Sequence, residues 1–394
     1  MVFLKISFRL QFILPLLLLA CLAGCKEDHP NTRPEELSEK ELIAEDYIEP
    51  GIKWGYINKN GEIAIDEQFD DCRDFAQHRA AASKKGLWGY IDTQGEWILE
   101  PLFRGTWSFK DGRGRIKVLD GNFGFVDSTG SLVVDTIWDW AEDYHEGIAM
   151  VKKNNRYQFI NQHGKLISED SWEQAFAFKN GFARISNGGW WGLLDTSGVI
   201  VIKPMYDDIG EFYFNRIATN VKGHWGFIDT GDHMMVEPIY DEVTPFQHDI
   251  AGVKKGNTWS LIDQSGQKLN DIDGSDVMAL GSDRWSVFKN DSFAMFDLRG
   301  KRLTPFQYTQ INMFSNSLAC FIKDNLTGYL DTMGHHRIAN IFLLGWDFNN
   351  ETARYSLGEG IGFINPSGKA IYEAVFPDVR DYSEGLAKVQ TVHR

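Results

Sequence analysis

The sequence predicts an all-β protein built as a tandem array of about ten repeats, each of roughly 34 residues. Three observations lead to this prediction: one phrase recurs at a nearly constant spacing, glycines fall at regular intervals, and the segments between them alternate apolar and polar residues. Alternation with a period of two is typical of a strand that buries one face. Helices would need about a dozen residues without such interruptions.

The recurring phrase begins with an aromatic residue in most copies, and glycine usually follows it. Helical tetratricopeptide repeats share the period of about 34 residues, but glycine or a turn residue interrupts this chain about every 8–12 residues, which favours strands. The first positions follow one another at this nearly constant interval and are Trp54, Trp88, Phe123, Tyr157, Trp191, Trp225, Trp259, Phe293, Thr327 and Ile361.

A turn of the form D-x-x-G follows the phrase in most copies, as at Asp92 to Gly95. Asp or Asn at the first position caps a backbone N–H, and glycine at the fourth position accepts a positive φ. The copy at Trp225 departs from this pattern, because Asp229-Thr230-Gly231 is one residue shorter. Each unit is therefore predicted to contain three antiparallel strands, with the D-x-x-G hairpin between the second and the third.

A second aromatic column lies between consecutive copies of the phrase. Because no single repeat can bury its own apolar face, both aromatic columns are expected to form the contacts between neighbouring repeats. The members of the second column are Phe75, Phe109, Tyr144, Phe178, Phe212, Phe246, Phe314, Phe348 and Tyr382.

The unit W-G-[YF]-I-D-x-x-G-x-x-[VI]-[IL]-x-P-x-[FY]-D is similar to the WG repeat, also called the KWG repeat, of bacterial proteins. The resemblance extends from Trp54 to the C-terminus and is strongest in the copies that begin at Trp54, Trp88, Trp191 and Trp225. It implies a β-repeat architecture, and membership of this family implies no particular activity.

The two ends of the array do not decide whether it forms a solenoid or a ring. The chain ends at Arg394, one residue before the next first position, so the phrase at 384–389 has no hairpin after it. It either caps an open solenoid or pairs with the first unit to close a propeller-like ring. Ten units are many for a propeller, and a unit of this length is short for a four-stranded blade. We therefore favour an open β-solenoid, with the closed ring as the alternative.

The N-terminal segment predicts an exported lipoprotein with three regions. Residues 1–24 combine Lys5 and Arg9 with an apolar stretch too short to span a bilayer. Residues 22–25 resemble a lipobox, which implies cleavage before Cys25 and lipidation, as by palmitate, of its thiol. Residues 25–50 are then an acidic tether and residues 51–394 the WG-repeat domain. Lys26-Glu27-Asp28 resembles the signal that sends some lipoproteins of Bacteroidetes-type bacteria to the outer cell surface.

The net charge and the cysteines restrict the classes of partner and the covalent links that the sequence predicts. The net charge of −15 argues against binding to nucleic acid or to an anionic membrane surface, since both are polyanions. Contact with the membrane is expected through the lipid on Cys25. Cys72 and Cys320 do not make a disulfide framework, and Cys320, in an apolar column, is predicted to be a buried free thiol.

Four tryptophans outside the first-position column are candidate ligand-binding residues: Trp107, Trp140, Trp190 and Trp346. The columns of Trp107, Trp140 and Trp346 also contain polar residues and glycine, so burial is not obligatory there. Exposed aromatic faces near carboxylates suit sugar rings or peptide side chains. The alternative is that these rings cover neighbouring loops.

Acidic residues give weaker signals for a metal. The pairs Asp70-Asp71, Asp207-Asp208 and Asp241-Glu242 share one repeat position and suit either calcium, a basic partner or a solvated edge. The segment 271–276 has the spaced acids of a calcium loop but lacks the distal glutamate. We predict no metal site and no cofactor.

The motifs of common enzymes are absent from the sequence. It contains no G-x-S-x-G, P-loop, H-E-x-x-H or C-x-x-C. We therefore predict no catalytic residues and a non-enzymatic cell-envelope lipoprotein that presents its repeat surface to an unknown protein or glycan. The alternatives are an accessory subunit or enzyme acting on cell-wall or surface polysaccharide, and a structural spacer.

Overall fold

The structure is a computed structural model that describes residues 51–390. Over this range all regular elements are β-strands, and they form ten small antiparallel sheets in which consecutive strands pair. None of the described residues forms a helix that could cross a membrane. The predicted signal segment 1–24, the lipidated Cys25 and the tether 25–50 lie outside the described residues.

One sheet contains both ends of the described chain and closes the array into a ring. Its strand Trp54–Asn58 pairs with Leu386–Gln390, with Gly55 opposite Val389 and Tyr56 opposite Lys388. The ten sheets are therefore the blades of a closed β-propeller. The repeat array is confirmed, but the open solenoid that the sequence favoured was wrong, and the alternative, the closed ring, is the observed form.

Blades are numbered from 1, which begins at Asp71, to 10, which contains both ends, and strands are numbered from first to fourth within a blade. The first strands of blades 1–10 are Asp71–Cys72, Gly105–Thr106, Trp140–Ala141, Gln174–Ala175, Asp208–Tyr213, Glu242–Val243, Asp276–Gly281, Gln310–Ile311, Leu344–Gly345 and Asp378–Val379. The second strands are Ala80–Lys84, Gly114–Lys117, Ile148–Lys153, Phe182–Asn187, Arg216–Val221, Ile250–Lys255, Arg284–Lys289, Leu318–Lys323, Ala353–Ser356 and Leu386–Gln390.

The third strands carry the recurring phrase. In blades 1–10 they are Leu87–Ile91, Phe123–Val126, Arg156–Asn161, Trp190–Asp195, His224–Ile228, Thr258–Asp263, Ser292–Asp297, Leu326–Asp331, Ile361–Ile364 and Trp54–Asn58. Fourth strands are found in the described part of every blade except 3 and 7, and are Trp97–Phe103, Leu132–Trp138, Ile200–Tyr206, Met234–Tyr240, Lys268–Ile272, His336–Phe342, Ala370–Phe376 and Ile63–Phe69.

The prediction of three strands per unit missed the first strand. In most blades this strand spans only a residue pair, as Asp71–Cys72 does, which is too short to show an alternation. The same shortness explains how so short a repeat builds a four-stranded blade, so the length argument against a propeller does not hold.

The glycine of the recurring phrase lies where the fourth strand bulges across the third. In blade 1 Trp88 pairs with Phe103 and Tyr90 pairs with Leu99, so the fourth strand advances four residues where the third advances two. A Cβ atom on Gly89 would lie 2.2 Å from the carbonyl oxygen of Leu99. The bulge thus excludes any side chain at this position.

Neighbouring blades are held together by clusters of buried apolar side chains. The second aromatic column packs edge-to-face on the third strand of the preceding blade, as Phe75 does on Tyr56 with ring centroids 4.8 Å apart. Between blades 9 and 10 a cluster of the same kind contains Ile57 and Phe363 from the two ends of the chain. The prediction is confirmed for the second aromatic column in these blades, and Trp54 of the first column packs, partly buried, against the cluster between blades 10 and 1.

The D-x-x-G hairpins form as predicted and define one face of the ring. The Asp92 carboxylate accepts hydrogen bonds from the backbone N–H groups of Gln94 and Glu96, and Gly95 has a φ of 85°. In the shorter copy Asp232 takes the left-handed position, with a φ of 62°. We call this side the D-x-x-G face, and the opposite side, where the second–third turns and the links between blades lie, the link face.

The two cysteines of the propeller are buried and free, which confirms the prediction for Cys320. Burial raises the pKa of the Cys72 thiol to about 12, so this thiol stays protonated and unreactive at neutral pH.

Candidate functional site

Trp107 and Trp346, two of the four candidate tryptophans, occupy the same repeat position and each covers an arginine of its own blade. The guanidinium carbon of Arg115 lies 4.1 Å from the ring centroid of Trp107, and that of Arg354 lies 4.6 Å from the ring centroid of Trp346. Phe176 covers Arg184 in the same way, at 3.9 Å. Such cation–π contacts stabilise a partly desolvated charge.

Each of these arginines reaches across to the next blade. Arg354 forms an ion pair of 2.6 Å with Asp381 and donates a hydrogen bond of 3.1 Å to the carbonyl of Val379. Arg115 likewise pairs with Asp143 at 2.9 Å. Burial raises the pKa of Asp143 and lowers that of Arg115, although each faces an opposite charge, because desolvation outweighs their attraction. Trp107 and Trp346 therefore complete a blade-to-blade contact.

Replacing Trp346 with alanine is expected to lower the free energy of unfolding by about 1–3 kcal/mol, because the Arg354–Asp381 pair loses its aromatic cover. Urea denaturation followed by circular dichroism measures this loss. Trp190→Ala serves as the control, since Trp190 is 48% exposed and its loss should cost no more than about 0.5 kcal/mol. Equal stability of the two variants would contradict the structural role of Trp346.

Trp140, partly buried against the core clusters on both sides of blade 3, lines an open cavity of about 320 Å³ on the link face. The other lining residues are Asp139, Lys152, Asn155 and Tyr157. The rings of Trp140 and Tyr157 stand edge-to-face, with centroids 6.1 Å apart, and the Lys152 ammonium lies 4.8 Å from the centroid of Tyr157. Adjacent aromatic rings with polar groups beside them at an open surface suit contacts with sugar rings or peptide side chains.

Trp190 lies on the same face, in the second–third turn of the next blade. Arg156, beside Tyr157, donates a hydrogen bond of 2.9 Å to the side-chain oxygen of Asn187, and Asn187 pairs with Trp190 across the turn. The structure thus brings Trp140 and Trp190 to one face of blades 3 and 4. It places Trp107 and Trp346 in the contacts of blades 2 and 9 with their next neighbours.

The cavity lies in an irregular blade, where Gln158 replaces the glycine of the phrase and the fourth segment pairs with the third strand only through the isolated bridges of Tyr157 with Trp172 and of Ile160 with Leu166. Sequence reasoning missed Lys152 and Tyr157 as site residues, since it assigned Tyr157 to the core column. The available signal was the loss of the Trp-Gly pair in this copy.

The predicted acidic pairs have partners within the protein. The first acid of a pair caps the second–third turn of its blade, as Asp241 does by accepting a hydrogen bond of 2.7 Å from the N–H of Gly256. The second acid pairs with a lysine in two blades: Asp71 with Lys388 at 2.6 Å and Glu242 with Lys254 at 2.7 Å. This arrangement organises turns and blade contacts.

The acids of the segment 271–276 point to separate partners. Asp271 contacts Lys268 and Ser260, and Asp273 contacts Lys289. Among residues 51–390 no three His, Cys, Asp or Glu side chains are grouped closely enough to hold a metal ion.

The strand pairing defines the protein as a repeat-built, ten-bladed β-propeller. The model of the WG containing repeat matches residues 54–88, 88–122, 123–157, 159–189, 191–223, 225–259, 295–326 and 361–391. The chain therefore belongs to the family of proteins with WG containing repeats, as the resemblance of its phrases implied.

Solved structures resemble this chain at low identity. A eukaryotic initiation factor matches at 12% identity and a TM-score of 0.44, over 82% of this chain and 95% of that one. BamB from Moraxella catarrhalis matches at 12% identity and a TM-score of 0.33, over 83% and 98%. The WD40 β-propeller domain of Doa1 matches at 11% identity and 0.28, over 58% and 92%. No curated protein matches the sequence.

Proposed function

We propose that the protein is a non-enzymatic lipoprotein of the cell envelope, anchored through Cys25, that uses its propeller as a scaffold to bind a protein or glycan ligand. The observation that carries the proposal is the Trp140 cavity together with the exposed Trp190 of the next blade on the same link face. Aromatic rings and polar groups that lie together at an open surface supply both apolar contact and hydrogen bonds to a ligand.

The proposed anchor is compatible with an accessible link face. Strand Trp54–Asn58 starts at this face, and residues 26–53 separate it from Cys25. A fully extended chain of this length spans roughly 95 Å, so a tether could hold the propeller well away from the bilayer. The outer membrane and the cell surface remain the expected location, on the resemblance of residues 22–28 to lipoprotein signals.

The test uses an ectodomain that starts at Lys26 and is immobilised and exposed to a detergent extract of the source bacterium's envelope. We expect it to retain a protein or carbohydrate component that the double variant Trp140→Ala/Trp190→Ala does not retain. Phe214→Ala is the matched control, because Phe214 is 46% exposed but lies on the D-x-x-G face. Equal retention by all three proteins would refute a link-face site, and turnover of a polysaccharide would support the enzymatic alternative.

The anchor has its own test in the full-length chain. Cells expressing the wild type should incorporate labelled palmitate into the protein, and Cys25→Ala should abolish this incorporation and release the protein from the membrane fraction. Membrane retention of Cys25→Ala would refute the proposed lipidation.

A further inference from the structure

Three blades carry a lysine at the repeat position of Lys152, and each lysine lies over the first-position aromatic of its own third strand. The ammonium-to-centroid distances are 5.2 Å for Lys117 over Phe123, 4.8 Å for Lys152 over Tyr157, and 5.8 Å for Lys254 over Trp259. The residue opposite the lysine on the first strand differs: it is Gly105 in blade 2, Trp140 in blade 3 and Glu242 in blade 6.

In blade 6 the lysine of this lysine–aromatic pair binds a carboxylate. There the Glu242 carboxylate lies 2.7 Å from the Lys254 ammonium. Blade 3 has the same lysine and an aromatic ring beneath it, but Trp140 replaces the glutamate. The cavity of blade 3 therefore keeps the ammonium but lacks the carboxylate that lies beside it in blade 6.

The other charges around the cavity are neutralised within the protein. Lys153 lies 3.6 Å from Asp139, and Arg156 lies 3.7 Å from Glu173. Asp139 also accepts a hydrogen bond of 2.7 Å from the N–H of Asn154. Among the described residues no carboxylate pairs with Lys152, so its positive charge is left for a ligand.

The remaining polar groups of the cavity suit hydroxyls. Trp140, Tyr157 and Asn155 line the cavity, and the indole N–H, the hydroxyl and the side-chain amide make no hydrogen bond to another group in the described part of the chain. A pyranose ring combines apolar faces with a rim of hydroxyls. An acidic side chain of a peptide would use Lys152 but brings no further hydroxyls to these groups.

We infer that the Trp140 cavity binds a hexuronic acid residue, with the sugar carboxylate paired with the Lys152 ammonium, as Glu242 is with Lys254, and the pyranose ring against Trp140. This inference rests on the proposed binding function and names the ligand of its site. Because the net charge of −15 repels a dense polyanion, the fitting glycan carries isolated acidic sugars on a largely neutral chain.

The test titrates the ectodomain with methyl β-glucuronide and with methyl β-glucoside, followed by calorimetry or ligand-observed NMR. We expect the glucuronide to bind at least about tenfold more tightly, because only it brings the charge-assisted contact. Lys152→Met should remove this preference. The matched control is Lys117→Met, which deletes the equivalent lysine opposite Gly105 and should leave glucuronide affinity unchanged.

A third variant tests the analogy with blade 6 directly. Trp140→Glu should place an internal carboxylate on Lys152, abolish glucuronide binding and keep the circular dichroism spectrum of the wild type. Equal affinity for glucuronide and glucoside, equal losses in K152M and K117M, or undiminished binding by W140E would each overturn the inference. Tighter binding of a Glu-rich peptide than of the glucuronide would assign the cavity to a protein ligand instead.

The two proposals fail separately. If W140A/W190A loses the envelope ligand but no variant or wild type binds glucuronide, the binding function stands and the hexuronate assignment is wrong. If glucuronide binds as expected but the envelope extract yields no Trp140-dependent ligand, the chemistry of the cavity stands and the envelope function is wrong.

Discussion

Replacing Gly89 with alanine is expected to lower the free energy of unfolding by about 3 kcal/mol or more. The new Cβ would lie 2.2 Å from the carbonyl oxygen of Leu99 and 2.8 Å from the carbonyl carbon of Glu100. Both atoms belong to the backbone of the fourth strand, so no side-chain rotation relieves the clash. The bulge would have to open, and the pairs of Trp88 with Phe103 and of Tyr90 with Leu99 would be lost.

Gln158→Ala is the matched control because it creates the same residue at the same repeat position. Gln158 already carries a Cβ atom where the bridges of Tyr157 with Trp172 and of Ile160 with Leu166 join the third strand and the fourth segment, so alanine adds no atom there and the stability should change by no more than about 0.5 kcal/mol. Urea denaturation followed by circular dichroism would compare the two variants. Similar midpoints for G89A and Q158A would show that the crossing strand is not what demands glycine.

The same constraint explains which parts of the fold were predictable. Seven blades keep the glycine, and in these the fourth strand bulges across the third. Blades 3 and 7, with Gln158 and Ala294, lack the fourth strand, and Ser260 in blade 6 pairs directly with Asp271 without the bulge. The recurring phrase therefore encodes the blade, and departures from it mark the irregular blades.

A second sequence change coincides with the three blades that lack the glycine. The fourth-strand residue that packs inward is apolar or aromatic in the other blades, as Ile202 is opposite Leu193, whereas Ser168, Asn270 and Thr304 occupy this position in blades 3, 6 and 7. In blade 7 the hydroxyl of Thr304 accepts a hydrogen bond from the Met295 N–H, so a polar contact replaces the apolar one there. Both changes are visible in the sequence, but a prediction based on the residues that the copies share does not use them.

The candidate site was less predictable than the fold. Trp140 and Trp190 could be singled out because they fall outside the first-position column, but Trp107 and Trp346 share that property and cover arginines. The two pairs of tryptophans differ in the residues that their rings contact. Trp107 and Trp346 cover Arg115 and Arg354, and a single sequence does not specify what the residues at this repeat position contact. The contacts of Lys152 were equally hard to predict. Its counterpart in blade 6 pairs with Glu242, whereas Lys152 itself lies opposite Trp140.

Closure of the ring was the remaining ambiguity, because an open and a closed array have the same local sequence. Ten repeats form a closed ring only if the small rotations at all blade contacts add up to a full turn. No single residue specifies this total rotation. In the structure, strand Trp54–Asn58 pairs with Leu386–Gln390 and closes the ring. The effect of removing one of these two strands can therefore be predicted.

Deleting residues 378–394 is expected to abolish the cooperative unfolding transition, a loss of about 5 kcal/mol or more. Blade 10 would lose two strands, and with them the fully buried Val379, Ala387 and Val389, each apolar side chain contributing roughly 1–3 kcal/mol. The hydrogen bonds of 2.7 Å from the N–H groups of Gln77 and His78 to Glu384 would also be lost. In an open array the same deletion would affect only the last repeat, since each repeat contacts only its neighbours.

A circular permutant separates loss of the strands from loss of chain continuity. It joins Gln390 to Gly51 through a short Gly/Ser linker and opens the chain at Gly274, in the link between blades 6 and 7, so all blades keep their strands. Because Gly55 and Val389 are paired, the new connection replaces an ordinary second–third turn. The permutant should fold with the circular dichroism spectrum and urea midpoint of the wild type. A stable, cooperative truncated protein, or a permutant that fails to fold, would contradict closure through blade 10.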